Sequence, residues 1–339
     1  SIFYATAGSV NEAWNYQYNR GGIFRFAHGG WTSFNQYFSS KLDSLMDFIT
    51  ITIDPRDASV WAGSFGGGLL HLKTDNQMDI YKQNSPIAPT VGDPTSYRVS
   101  GLAFDLENNL WISNFGATTQ LHVLKNDGTW RSFTAPFLIN HNAAAQIVID
   151  DANQKWIQAP LGNGLIVFNH NQTIDNPSDD KWRMYRQGAG QGNLPSNYVM
   201  CLARDKSGFI WVGTDNGVAV IQCPQSAFIN GCEAVWPIIK EDAFANYLFK
   251  GQEVRSIAVD GADRKWIATA TGAWLVSPDG DKVLAHFTEL NSPLLSNDVK
   301  SVAIDGATGE VYFGTAKGIC SYRGYATEAE ETKNQVLVF

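Results

Sequence analysis

The chain has few of the residues that most often carry catalysis or metal binding. Its 339 residues include four cysteines and six histidines, and no Cys-x-x-Cys pair or zinc-type Cys/His grouping occurs. The GxSxG, HExxH, phosphate-loop and GxGxxG motifs are also absent. We therefore expect no enzyme activity, no cofactor and no metal site.

Charge and long apolar segments are equally scarce. Only 17% of the residues are charged, the net charge is −8, and no run of Lys or Arg could neutralise a row of phosphates. No apolar stretch approaches the roughly 18 residues that a membrane-spanning helix needs. The sequence thus disfavours nucleic-acid binding and predicts no membrane span in this chain.

A repeat of aromatic and glycine residues fills the chain instead. Seven times an apolar run leads to an aromatic anchor, small residues and a glycine turn, at intervals of roughly 45 to 57 residues. Short strands repeated at such a period are typical of a β-propeller with one blade per repeat. We predict an all-β fold, a propeller of seven blades with four antiparallel strands each. The anchors are Tyr4, Trp61, Trp111, Trp156, Trp211, Trp266 and Tyr312.

The copy at residues 199–220 shows how one blade is built. Alternating apolar residues predict an inner strand, Asp205 to Gly208 a turn, and the segment around Trp211 a second strand packed between blades. One turn aspartate in each blade could suggest calcium, but single carboxylates on separate blades cannot share an ion. We therefore interpret them as turn caps. These aspartates are Asp54, Asp105, Asp150, Asp205, Asp260 and Asp305.

The repeat runs from end to end, so we predict one propeller domain over residues 1–339. The first blade lacks an inner strand, because that strand would precede Ser1. Residues 334–339 could close the ring by supplying it, could form the last outer strand, or could lead into an absent domain. We expect the chain to be a piece of a longer protein.

One loop is a candidate binding site. Residues 8–22 project three aromatic side chains and a guanidinium from the first blade, which would suit stacking on sugar rings or a protein interface. The alternative is a loop folded over the adjacent blade. Two phenylalanines in equivalent hairpins could extend the patch or could pack locally. The predicted ligand-binding residues are Trp14, Tyr16, Tyr18, Arg20, Phe65 and Phe115.

The cysteines and histidines give weaker signals. Cys223 and Cys232 bracket a short loop that a disulfide could close, and both the bridged and the free state stay open. Cys201 and Cys320 lie in segments with a strand pattern, and we predict that both are buried thiols. His141 is the only histidine placed near a central channel, where solvation is the simpler interpretation.

The repeat resembles a known family. The stretch VMCLARDKSGFIWVGTDNGVAVI and the preceding LPSN at residues 194–197 resemble the two-component-regulator propeller repeat. The first blade, with YATAG at residues 4–8, YNRGG at 18–22 and IFRF at 23–26, resembles the PorZ-like propellers of type IX secretion. The resemblance implies an exported, non-enzymatic component at the cell surface or in the periplasm. It also implies an anionic lipopolysaccharide, glycans, or secretion and envelope proteins as partners. Residues 336–339 would then resemble the lead into that family's C-terminal β-sandwich.

Two other functions stay open. The same repeat builds periplasmic sensor regions of hybrid two-component regulators, in which ligand binding signals across the membrane. A propeller lyase is the third alternative. It would need a histidine and acidic groups around a metal on the loop face.

Overall fold

Short antiparallel strands form nearly all the regular structure. The computed structural model describes residues 2–241 and 244–328, and the segment 334–339 lies outside them. The chain divides into two compact units, Ser1–Val199 with Cys223–Glu233, and Met200–Gln222 with Ala234–Phe339. Each is described separately below.

The first unit holds four repeats. The first repeat is β1 (Phe3–Thr6), β2 (Ile23–Ala27) and β3 (Gly30–Phe34). The second is β4 (Phe48–Ile53), β5 (Val60–Gly66), β6 (Gly68–Leu72) and β7 (Met78–Tyr81). The third is β8 (Tyr97–Phe104), β9 (Leu110–Asn114), β10 (Leu121–Leu124) and β11 (Trp130–Phe133). The fourth is β12 (Ile147–Ile149), β13 (Lys155–Ala159), β14 (Gly164–Asn169) and β15 (Lys181–Tyr185).

The second unit holds three repeats. The fifth repeat is β16 (Val199–Arg204), β17 (Ile210–Thr214) and β18 (Gly217–Ile221), followed by a hairpin of β19 (Ile238–Glu241) and β20 (Phe244–Tyr247). The sixth is β21 (Ser256–Val259), β22 (Lys265–Thr269), β23 (Gly272–Val276) and β24 (Val283–Phe287). The seventh is β25 (Val299–Asp305), β26 (Glu310–Thr315) and β27 (Gly318–Arg323). The short 3-10 helices are Ser40–Leu42, Asn140–Asn142, Pro177–Asp179 and Pro224–Ser226.

The predicted all-β class and the succession of seven repeats agree with this order. Each repeat pairs neighbouring strands antiparallel, and the second and third repeats join into one larger sheet where β5 pairs with β8 at Phe65 and Arg98. Four strands are present in the second, third, fourth and sixth repeats. Among the described residues, the first and seventh sheets have three.

The anchor residues lie on the strands that the repeat predicted. The five tryptophan anchors are at most 3% exposed. In four repeats the indole N–H donates to the turn aspartate six residues earlier, over 2.7 Å at Asp105, 2.8 Å at Asp150 and Asp205, and 3.2 Å at Asp260. Each carboxylate also accepts backbone amides two and four residues farther on. The turn aspartates are therefore caps, as predicted, and they also hold the anchors.

The second repeat uses the same turn differently. Asp54 accepts hydrogen bonds from the Arg56 guanidinium over 2.9 and 2.7 Å. Burial alone would raise the pKa of Asp54, but the hydrogen bonds and charge of Arg56 lower it below its usual value. Arginine thus takes the place of the indole as the main side-chain donor to this carboxylate.

Two buried lysines connect neighbouring repeats, a contact that the repeat pattern alone did not predict. Lys155 is fully buried, with Nζ 4.2 Å from the ring centroid of Trp111 and 4.0 Å from Asp105 of the preceding repeat. Burial lowers the pKa of Lys155 to about 7. In the second unit Lys265 lies 4.7 Å from the ring of Trp211 in the same way. A lysine directly before the anchor therefore binds the anchor of the preceding blade.

The fifth repeat departs from the four-strand pattern. The polypeptide after β18 returns to it at an isolated bridge, where Val235 and Val220 exchange backbone hydrogen bonds of 2.8 Å. It also returns at Gly217 and Val218, which donate to the carbonyls of Gln252 and Leu248. The β19–β20 hairpin follows and occupies the stretch in which the pattern predicts an outer strand. Among the described residues the fifth sheet therefore has three strands, followed by an insertion larger than one strand.

A disulfide closes the loop before that bridge. Cys223 and Cys232 are bonded, with their Cα atoms 5.7 Å apart, which settles the alternative left open by the sequence. The loop packs on the fourth repeat, where Arg183 and Tyr185 donate to the carbonyl of Ala227 over 2.6 and 3.1 Å. The disulfide therefore shapes a loop that covers β15. Of the two free thiols, Cys201 is buried as predicted and Cys320 is partly exposed.

We predict that Asp150→Ala destabilises the protein by about 3 kcal/mol or more. The substitution leaves the Trp156 indole and the Gln154 backbone amide as buried donors without an acceptor, each costing roughly 1–3 kcal/mol, and it also removes the acceptor of the exposed Ala152 amide. Urea unfolding followed by tryptophan fluorescence measures the loss. Asp127→Ala is the control, since Asp127 caps a similar turn at the surface. Equal midpoints for the two variants would contradict the role of the buried carboxylate.

Loss of the disulfide should lower the free energy of unfolding by about 3 kcal/mol, because closing a loop of this length restricts the unfolded chain. The double variant Cys223→Ser/Cys232→Ser is compared with wild type by thermal melting with and without dithiothreitol. Reductant should lower the wild-type midpoint and leave the double variant unchanged. A similar drop in both proteins would argue against the bridge as the cause.

Candidate functional site

The loop of residues 8–22 is fixed by one buried carboxylate. Asp47 is fully buried, and it accepts the backbone N–H groups of Gln17, Tyr18 and Asn19 over 3.0, 2.9 and 2.9 Å. The Asp47 amide donates in return to the carbonyl of Asn19 over 2.8 Å. The loop is therefore held against the second repeat. Sequence reasoning missed Asp47, which carries no motif and lies some thirty residues away.

Trp14 packs down onto two phenylalanines. Its ring stacks on Phe115 with centroids 5.1 Å apart and planes 3° apart, and its edge meets Phe65 at 5.9 Å. Phe65 and Phe115 are 0% and 3% exposed. Both rings pack beneath the loop, in agreement with the alternative of local packing. Phe115 also lines a cavity beside the loop, and a part of either ring in ligand binding stays a prediction.

Tyr16 is also half-buried and joins a polar contact. Its ring meets Phe65 edge-on at 5.8 Å, and its hydroxyl is hydrogen-bonded to Ser96. The Nε of Arg98 donates to the Tyr16 hydroxyl over 3.1 Å, with the guanidinium 4.6 Å from the Tyr16 ring centroid. Arg98 has no sequence signal, because it reaches the loop only through the pairing of β8 with β5.

Tyr18 and Arg20 lie on the outside of the loop. Tyr18 is 70% exposed, with its ring 5.7 Å from that of Tyr16. Arg20 is exposed and donates to the carbonyl and carboxylate of Asp43 over 2.7 and 3.0 Å. The four loop residues thus divide into two that pack inward and two that face solvent.

Beside the loop is a cavity of about 540 Å³, here called the Trp14 pocket. Aromatic and aliphatic side chains form much of the wall, a guanidinium and an imidazole add polar groups, and no carboxylate lines it. Its size and mixed lining fall within the range of small-molecule sites. The residues that define it here are Trp14, Thr90, Arg98, Phe115, His141 and Leu161.

The wall of the Trp14 pocket contains unusual backbone conformations. Trp14, His141, Asn142 and Leu161 have φ values of 55°, 61°, 48° and 60°, in the left-handed region that favours glycine. Such conformations cost about 1–3 kcal/mol each and cluster at functional sites. Four of them around one cavity support a binding role for it. His141 is exposed on this wall, as the simpler interpretation predicted.

The pocket offers binding groups rather than a catalytic pair. Within the described part of the chain, one histidine and no acid line it. Among residues 2–241 and 244–328 there is no cluster of three or more His, Cys, Asp or Glu that could hold a metal ion. In the same residues, no helix is both long and apolar enough to span a bilayer.

Comparisons with known proteins agree with the repeat and the fold. The family model described as two component regulator propeller matches residues 193–216. No curated protein matches the chain. The structure of PorZ from Porphyromonas gingivalis matches with a TM-score of 0.85 and 27% identity over 95% of this chain. By repeat and by fold, the chain resembles PorZ. The predicted propeller class is thereby confirmed.

PorZ is described as an essential bacterial surface component of the type-IX secretion system. The present chain spans 45% of the PorZ chain that it matches, so the likeness covers less than half of PorZ. A catalytically inactive virginiamycin B lyase from Staphylococcus aureus matches with a TM-score of 0.61 over 95% of this chain and 98% of its own. Its identity to this PorZ-like propeller is 10%, which shows a shared fold only.

We predict that Asp47→Ala releases the loop without unfolding the propeller. The variant loses the acceptor of three consecutive amides, so the bond after Arg20 should become more accessible to trypsin. Limited proteolysis with mass spectrometry measures the cleavage rate at that bond. Asp75→Ala in the β6–β7 turn is the control. An unchanged rate in a folded Asp47→Ala protein would show that the carboxylate does not hold the loop.

Proposed function

We propose that the chain is a non-catalytic binding and scaffold propeller of an exported protein associated with the cell surface. The Trp14 pocket and the outer side of the 8–22 loop are its binding site. Its ligands would be glycans, lipopolysaccharide included, or proteins of a type IX secretion system or the envelope. The observation that carries the proposal is the Trp14 pocket, an aromatic-walled cavity bordered by a rigidly held loop.

The pocket suits a ring-shaped ligand. Trp14 is supported on one side by the Phe115 ring and contributes to the pocket wall, so its position is set before a ligand arrives. Aromatic side chains bury large areas at low entropic cost, which makes them effective in sugar and protein recognition. The exposed Tyr18 and Arg20 would extend contacts to a larger ligand.

The similarity to PorZ supports the surface location and the secretion context. PorZ is a surface component of its system, and this chain is similar to its propeller over 95% of the present length. An acidic, exported domain with no span among the described residues is consistent with a partner-binding role outside the cytoplasm. The identity of the partner is part of the proposal.

A sensor region of a hybrid two-component regulator is the second candidate. The match of residues 193–216 to the two component regulator propeller family favours it. The continuation of the gene beyond this chain distinguishes the two. A transmembrane helix and kinase would favour the sensor, and a β-sandwich would favour the scaffold.

A propeller lyase has less support. The likeness to virginiamycin B lyase is 10% in sequence and carries the fold alone. The chemistry would need a histidine near acidic groups, and the Trp14 pocket is lined by His141 without a carboxylate. Binding is therefore the better proposal for this pocket.

The first test is a binding screen of the purified chain against a glycan and lipopolysaccharide panel. We expect Trp14→Ala/Tyr16→Ala to weaken any binding at least tenfold, because the substitutions remove the pocket wall and the ring beneath Tyr18. Surface plasmon resonance gives the affinities.

The matched control is Trp31→Ala. Trp31 is an aromatic residue on β3, 52% exposed, and it does not line the pocket. Equal losses in the double variant and the control would place the binding elsewhere. If no glycan or lipopolysaccharide of the panel binds, the result would count against a glycan ligand. A pull-down from envelope extract would then test for protein partners.

A further inference from the structure

Arg98 stands out in the Trp14 pocket as a cation without an anionic partner. Its Nε donates to the hydroxyls of Tyr16 and Ser96 over 3.1 and 3.2 Å. No carboxylate of the described residues lies within ion-pair distance of it. Five other arginines do pair with carboxylates, namely Arg20, Arg56, Arg131, Arg255 and Arg264.

The Arg98 side chain is also held in one orientation. Its guanidinium carbon lies 4.6 Å from the ring centroid of Tyr16, 4.9 Å from Phe65 and 5.9 Å from Phe115. These contacts and the two Nε hydrogen bonds fix the plane of the fork. Within the described residues neither Nη group donates a hydrogen bond, and Arg98 lines the pocket. The two Nη groups are therefore the unused donors of a preorganised guanidinium.

A second polar group in the same wall has no partner. The hydroxyl oxygen of Thr90 is buried and makes no hydrogen bond within the part of the chain that the structure describes. Thr90 contributes to the pocket wall, but its hydroxyl oxygen has almost no accessible surface, so it is enclosed rather than open to a ligand. Thr90 reaches the wall from the loop before β8, independently of Arg98.

We infer that the Trp14 pocket binds a ring-sized ligand carrying an oxyanion, a carboxylate or a phosphate, with Arg98 as the residue that binds it. The fork of a guanidinium matches two oxygens of either group. The absence of carboxylates from the lining avoids repulsion. This inference rests on the proposed binding function and names the chemistry of its ligand.

The test compares three probes of similar size, glucuronate, glucose 1-phosphate and the neutral methyl glucoside, by isothermal titration calorimetry. We expect wild type to bind one or both anions at least tenfold more tightly than the neutral sugar. The two anions distinguish a carboxylate site from a phosphate site. Arg98→Gln should abolish the preference, and the affinity for the anions should fall as salt is raised.

Three further variants make the result specific. Arg98→Lys keeps the charge but loses the planar fork, so its affinity should lie between those of wild type and Arg98→Gln, and it serves where the latter does not fold. Thr90→Val keeps the shape and should leave the affinities within about twofold of wild type, because the Thr90 hydroxyl is enclosed. Arg131→Gln, an exposed arginine paired with Asp175, should leave every affinity unchanged.

Equal binding of the neutral sugar and the anions, or wild-type affinity in Arg98→Gln, would overturn the assignment of Arg98 while sugar binding itself stands. If none of the three probes binds, the oxyanion assignment is also wrong. The glycan panel with the Trp14→Ala/Tyr16→Ala variant then decides the proposed function separately.

Discussion

The hydrogen bond between a buried turn aspartate and the indole of its anchor tryptophan is the interaction on which the repeats depend. The carboxylate is almost fully buried, as at Asp150 and Asp205, and a buried charge is stable only when its oxygens are satisfied. Two amides of the turn and one indole N–H do this within seven residues of sequence. The turn, the second strand and the inter-blade aromatic are thereby fixed together. The hairpin at the opposite end of that strand is left free to vary, which is where the Trp14 pocket lies.

That locality explains how much of the fold could be predicted. The anchor and the aspartate lie six residues apart, so a single repeat of the sequence contains both and identifies them together. The order of the strands then follows from the order of the repeats. The contacts of the buried lysines could not be predicted from the repeat, because Lys155 packs against Trp111, which lies 44 residues earlier in the chain. In the fifth repeat a disulfide loop and a hairpin follow the third strand, where most other repeats have an outer strand. Whether such an insertion replaces a strand depends on packing that a local pattern does not contain.

The candidate site was predictable only in part for the same reason. The loop of residues 8–22 was identified from its aromatic residues, and equivalent hairpins placed Phe65 and Phe115 at the same end of their strands. The sequence could not tell whether the loop stands away from them or lies over them, and the structure shows the latter. Asp47 and Arg98 complete the site from about 30 and 80 residues away. Neither is distinguishable by type or spacing from the other charged residues of the chain.

The energetics of the loop connect these two residues to binding. Trp14, Tyr18 and Asp47 all adopt left-handed backbone conformations, each at a cost of about 1–3 kcal/mol. The three amide hydrogen bonds to the Asp47 carboxylate, roughly 1.5–3 kcal/mol each for a charged acceptor, are of the size needed to offset that strain. The pocket wall is consequently ordered before a ligand arrives, and Arg98 is oriented by the same loop through Tyr16. A ligand then loses little of its binding free energy to ordering the protein, so a small pocket with one guanidinium fork can still discriminate between an anionic ring and a neutral one.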